Sequence, residues 1–225
     1  MTARVSDVTR WAFPAVAALS LMRRRSLRWG ATDDEMTATL PGDELVLDAD
    51  LTAIRSVTVG TAADRVWPWI AQLGQGRGGF YSYDFLENLV GCDVQSADRI
   101  VREWQSVDVG DEVRLAPQAA LTVAVVEPGR ALVLRGGFPM GRTTASYDFT
   151  WAYVLRPQPD GATRLVVRER YGYARRWVAL LVEPVELISF VMSRRMLRGI
   201  KDRAQRAAVA TATLPTALGR ARSER

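Results

Sequence analysis

The sequence predicts an α+β fold in which one antiparallel sheet is covered by a long C-terminal helix. Three observations carry this. Residues 111–173 divide into strand-like runs, "DEVRLAP", "ALTVAVVE", "ALVLRGG", "YDFTWAYVLRP" and "ATRLVVRERYGY". The turn signals between them, "EPGR" at 127–130, "GGFPMGR" at 136–142 and "PQPDGA" at 157–162, are short, and short connections make neighbouring strands antiparallel. Residues 182–208 then carry helical apolar spacing, so one amphipathic helix is available to bury one face of the sheet.

The elements are taken in chain order. "WAFPAVAALSLM", Trp11 to Met22, is apolar and free of charge, with Arg10 before it and Arg23 to Arg25 after it. As a helix it reaches about 18 Å, short of a hydrocarbon core of about 30 Å. Arginines at its downstream end, without a small-residue cleavage site, do not suit a signal peptide. Two readings of residues 1–28 stay open. One is an interfacial anchor, with Trp11 and Phe13 in the boundary and arginines on anionic head groups. The other is a helix that packs on its own domain.

Residues 29–50 are polar, acidic and turn-rich, and read as a tether. "LTAIRSVTV", residues 51–59, has strand composition. A helix follows, with Thr61 as N-cap and Val66, Trp69, Ile70 and Leu73 on one face; Pro68 inside it should bend it. "SYDFLENLVG" reads as a second short helix ended by Gly91. In the C-terminal helix Pro184 suits a first turn, and Val185, Ile188, Met192, Met196 and Ile200 form the apolar stripe. Residues 209–225 read as a disordered basic tail, which leaves 51–208 as the domain.

"GQGRGG", Gly74 to Gly79, matches G-x-G-x-x-G letter for letter. A dinucleotide fingerprint follows a strand and opens a helix inside a βαβ unit. Here the run follows a helix and precedes an antiparallel sheet. The glycines therefore read as a helix C-cap and a supple joint, and no nucleotide is expected.

Composition narrows the chemistry. The chain has 225 residues, no histidine and one cysteine, Cys92. The commonest general base and zinc ligand is absent, so no metal, cofactor or catalytic residue is assigned. A lone thiol fits a reducing, cytoplasmic compartment. The formal charge of +5 is uneven, with +5 on residues 1–30, +7 on 175–225 and −7 between. Because 29 of the 30 basic residues are arginine, a coding bias explains the excess as well as contact with an anionic surface does. The acidic centre and the lack of interleaved aromatics speak against nucleic acid.

Alternation places the candidate site. Tyr147, Phe149, Trp151, Tyr153 and Leu155 share one strand face, and Leu165, Val167, Glu169, Tyr171 and Tyr173 share one face of the next. Arg164, Arg168 and Arg170 take the opposite side. Phe149, Trp151 and Tyr171 belong either to a plain core or to a pocket wall, where polar aromatic tips meet a ligand. Glu169 sits among apolar residues and must be paired or protonated. A structural pair with an arginine or a tyrosine hydroxyl and a role as ligand anchor or proton-transfer group are both open. Phe80, Tyr81 and Tyr83 stand beside the glycines, where the short helix would form a lid, and Trp104 would close the same end. Asp84 and Glu87 share a helix face and suit either solvent or acid–base work.

The element order over residues 51–208 resembles the SRPBCC superfamily, the helix-grip fold of START domains, the birch-pollen allergen and polyketide cyclases. The text "WPWIAQLGQGRGGFYSYDFLENLVGCDVQSADRIVREWQSVDVGDEVRLAP" and the "WGAT…LPGDEL" stretch before the domain are similar to a bacterial branch of that superfamily. The resemblance implies a curved antiparallel sheet wrapped around the C-terminal helix, with a hydrophobic ligand between them, where Met192 would face it. The expected function is a carrier or sensor of a hydrophobic small molecule or lipid, held near the inner face of the cell membrane. The alternative is a cyclase- or aromatase-like enzyme acting on such a ligand.

Overall fold

The structure is a computed structural model that describes residues 17, 18, 20–89, 91–137 and 147–213. Most of the 11–22 segment, part of the 136–142 turn and residues 214–225 of the tail lie outside the described residues. Helix α1 covers residues 20–27. Next come α2 (Asp33–Thr37), β1 (Leu51–Val59), α3 (Ala63–Ala71) and α4 (Asp84–Leu89). Five strands follow, β2 (Glu112–Ala116), β3 (Ala119–Glu127), β4 (Ala131–Gly136), β5 (Tyr147–Pro157) and β6 (Thr163–Tyr173). Helix α5 (Ala179–Thr213) ends the described chain.

The six strands form one sheet in the order β1-β6-β5-β4-β3-β2, with every neighbour antiparallel. This is the predicted α+β helix-grip arrangement: a curved sheet with α5 packed along its concave face. The strand β1 reaches the far edge only by pairing with β6, which brings Ala53 opposite Glu169 and Arg55 opposite Val167. In β5 and β6 the odd positions face α5, as alternation requires. Phe149, Tyr153, Leu155, Leu165, Val167 and Tyr171 join one core cluster with Trp69, Ile70, Met196, Leu197 and Ile200.

The outer face is covered too. Leu40, Ile54, Ala131, Val154 and Val166 form a second cluster, against which Ala31 and Met36 pack. Residues 29–50, expected as a tether, are thus a strap on the sheet. The reason is charge as well as apolar area. Arg164 Nε donates to Glu35 Oε1 at 2.7 Å, Arg168 Nη1 donates to Asp43 Oδ2 at 2.5 Å, and Arg170 donates to the carbonyl of Val46. The acid-rich stretch pairs the three arginines that alternation sends outward.

Three local expectations are corrected. Ala62, not Thr61, caps α3, because Thr61 is drawn into the sheet edge, where its carbonyl accepts from Thr163 Oγ1 at 2.7 Å. Pro184 lies inside α5, not in its first turn. Ile188 is 65% exposed, so it is not part of the buried stripe. The inward positions of this stretch are Val182, Glu186 and Ser193, and apolar spacing misses them because two of the three are polar.

The glycine run closes on itself. Gly74 and Gly79 exchange backbone hydrogen bonds in both directions, at 3.1 and 3.0 Å. Gly74 has φ +126°, which L side chains rarely adopt, and Arg77 donates to the carbonyls of Ala71 and Trp104. The segment is therefore a pinned turn between two helices, not a supple joint. It sits on an antiparallel sheet and has no βαβ context.

Candidate functional site

The site begins with Arg55. "LTAIRSVTV" is a buried strand with an arginine at an inward position, and a charge there must find partners. Arg55 is 1% exposed. Its Nη1 donates to Glu169 Oε1 at 2.9 Å, its Nη2 to Glu186 on α5, and its Nε to the carbonyl of Ser26 on α1 at 3.3 Å. Glu169 also accepts from Tyr171 (3.0 Å), Ser189 (3.1 Å) and Ser193 (3.0 Å). Of the open readings of Glu169, the structural pair is the one present. Its partners are both kinds expected, an arginine and a tyrosine hydroxyl.

This network ties β1, β6, α5 and α1 together. Two carboxylates share one buried guanidinium. Burial pushes Glu186 above the usual carboxylate range, and the Arg55 charge only partly offsets it. The Tyr171 hydroxyl is raised well above its usual range by burial, and the adjacent Glu169 charge raises it further.

Ser189 and Ser193 lie one turn apart on α5 and separate the ion network from a cavity of about 190 Å³. The apolar wall of this cavity is Phe80, Leu115, Trp151, Met192 and Met196. Its polar members are Ser82, Glu87, Ser189 and Ser193. Phe80 stacks near-parallel on Trp151, with ring centroids 6.1 Å apart and planes at 20°. Ser82 Oγ donates to the Met192 carbonyl at 3.1 Å and holds the 80–82 loop on α5. Glu87 reaches the cavity from α4. Burial, then the nearby Asp84, pushes its carboxyl up to about 7.

Of the predicted site residues, Phe80, Trp151 and Met192 line this cavity. Glu169 stands behind its serine wall. Phe149 and Tyr171 belong to the aromatic layer beside Trp151, with centroids 4.7 Å apart from each other and 6.4 Å from Phe149 to Trp151. Tyr81 is 1% exposed and forms core. It packs edge-on against Trp69, its hydroxyl accepts from Gln72 Nε2, and the Arg203 guanidinium lies over its ring. Tyr83 contacts Phe85 and lies under Arg195 on the outer side of α4. Trp104 lines a separate polar groove with Arg77, Arg99 and Asp98. The mouth predicted for Tyr81, Tyr83 and Trp104 is therefore not one place: Ser82 fixes the 80–82 loop on α5, while Arg77 ties Trp104 to the glycine turn. Asp84 is held by Ser96, through its hydroxyl and its backbone N–H. Sequence reasoning missed Arg55, Glu186, Ser189 and Ser193. The available signal was a charge at an odd position of β1 and two serines at helical spacing inside an apolar helix.

Several large apolar side chains are exposed among the described residues. They include Leu21 and Met22 on α1, Phe85 and Leu89 on α4, and Leu187 and Ile188 on α5. Among the described residues no helix is long and apolar enough to cross a membrane.

No family model matches the sequence, and no curated protein matches it significantly. Solved structures resemble the chain at low identity. Protein jhp0584 from Helicobacter pylori is 11% identical over 75% of this chain and 96% of its own, with a TM-score of 0.47. Protein MLL2253 from Mesorhizobium loti is 13% identical over 69% of this chain and 98% of its own, with a TM-score of 0.42. CalU16 from Micromonospora echinospora is 16% identical over 70% of this chain and 86% of its own, with a TM-score of 0.33.

Proposed function

We propose that this chain binds a small hydrophobic molecule in the cavity between the sheet and α5, as its resemblance to the SRPBCC superfamily implies. The observation that carries the reading is the wall itself. Two stacked aromatics and two methionines surround open volume, where a plain core would close. Size limits the occupant. A void of about 150 Å³ holds benzene, and ordinary ligand sites run from about 300 to 1,000 Å³. The cavity of about 190 Å³ suits a one- or two-ring compound better than a whole lipid. An enzyme reading would have used Glu169, but its oxygens are already taken by four donors, so binding without turnover fits better.

The test is native mass spectrometry of the full chain purified without detergent, followed by organic extraction. A bound mass that disappears on extraction is expected, with none on Met192→Trp, which fills the cavity. A ligand equally present in Met192→Trp would refute this location.

We also propose peripheral contact with an anionic membrane through α1. The support is the apolar exposure of Leu21 and Met22 directly before Arg23, Arg24 and Arg25, all exposed.

A further inference from the structure

The side chains that bring polar groups to the cavity are Ser82, Glu87, Trp151, Ser189 and Ser193. The Ser82 hydroxyl donates to the Met192 carbonyl. The hydroxyls of Ser189 and Ser193 donate to Glu169. Two other polar atoms, Glu87 Oε2 and Trp151 Nε1, are buried and without a hydrogen-bond partner among the described residues. One is an acceptor and the other a donor, and both residues line the same cavity. A buried orphan of either kind is costly, and native proteins rarely leave one.

We propose that the cavity selects a hydroxylated apolar ring, a phenol or ring alcohol, whose hydroxyl donates to Glu87 Oε2 and accepts from Trp151 Nε1. The inference rests on the ligand-binding reading above and adds the chemical class. A hydroxyl is the smallest group that both donates and accepts. A hydrocarbon would leave both atoms unpaired. Above pH 7, where Glu87 is mostly ionised, a carboxylate ligand would set one anion against another in a desolvated space. Of the two acidic residues on this face of α4, Asp84 is already held by Ser96, whereas Glu87 Oε2 has no partner among the described residues. Its raised carboxyl, about 7, is what burial without a partner produces.

The test is calorimetric titration of the full chain at pH 8, where Glu87 is ionised, with two matched series: phenol, benzene and benzoate, then 1-naphthol, naphthalene and 1-naphthoate. The hydroxylated member should bind about tenfold tighter than its hydrocarbon, and the carboxylate should not bind. Trp151→Phe keeps a ring and removes the N–H, so the preference should shrink to about twofold to threefold. Glu87→Gln keeps an acceptor without the charge, so it should retain part of the preference and admit the carboxylate. If hydroxylated and plain rings bind wild type equally, water satisfies the two atoms. This inference then fails, while the ligand-binding reading stands. Tight binding of the carboxylates to wild type also overturns it. If no member of either series binds, both readings fall together.

Discussion

Arg55 Nη1 lies 2.9 Å from Glu169 Oε1, with both side chains at 2% exposure or less. The pair joins β1 to β6 at the level where α5 crosses, and Glu186 brings the helix into the same contact. A buried pair of this kind adds little stability over an apolar substitute, but breaking it strands a charge. It acts here as a register device, because only one placement of α5 sets Glu186, Ser189 and Ser193 on the two partners.

Arg55→Met should therefore cost about 3–5 kcal/mol, read as a lower midpoint in urea unfolding. Glu186→Gln should cost less at neutral pH, since burial already disfavours its charged form. Combining Arg55→Met with Glu169→Gln and Glu186→Gln should recover much of the loss. A single Arg55→Met variant with the wild-type midpoint would show that the network holds nothing.

Acid should loosen the strap on the outer face. Burial alone would raise the Glu35 carboxyl, but the hydrogen bond and charge of Arg164 and the Thr32 N–H outweigh it, and the result lies below the ordinary 4.5. A lowered carboxyl contributes stability that is present above 4.5 and lost as pH falls through its folded value. Glu35→Gln should lower the unfolding midpoint at pH 6 and narrow its gap to wild type at pH 3. A gap that stays constant across this range would exclude the Glu35–Arg164 pair as the cause.

Membrane contact should depend on the first 28 residues. The full chain should sediment with vesicles containing anionic lipid at low salt and be released by high salt, because surface charges are screened within about 3 Å at 1 M. Leu21→Ser with Met22→Ser should weaken sedimentation. Equal sedimentation with neutral and anionic vesicles would rule out the arginine contribution.

What the sequence made legible follows from pattern strength. Alternation along β5 and β6 is long and uninterrupted, so the inward faces of Phe149, Trp151 and Tyr171 could be read directly. The first half of α5 could not. Its inward residues are polar because they meet Arg55 and Glu169, strands away in sequence, while Leu187 and Ile188 point outward. Apolar spacing reports burial only where burial is apolar. The strap was obscured for a related reason: its acidic residues look like solvent-facing tether until β6 supplies the arginines. The glycine turn hides its rigidity because no local pattern reveals the Arg77 contacts.

Gly199 offers the sharpest test of how α5 is seated. A Cβ there would stand 2.3 Å from the Tyr81 carbonyl oxygen and 2.8 Å from the Tyr81 Cβ. On helix propensity alone, Gly199→Ala should gain about 1 kcal/mol. Against that stands a backbone contact that cannot swing away, since Tyr81 holds φ +57° and its N–H donates to Ser96 Oγ at 2.9 Å. Forcing an extra methyl into a packed interior costs about 1–3 kcal/mol, so the steric effect wins and the variant should be less stable. The displaced residues would be the 80–82 loop, which supplies Phe80 and Ser82 to the cavity wall. Gly199→Ala should thus lower the urea midpoint and weaken ring-probe binding, measured by calorimetry under conditions where the variant is fully folded. A gain in stability would mean that α5 does not press on Tyr81.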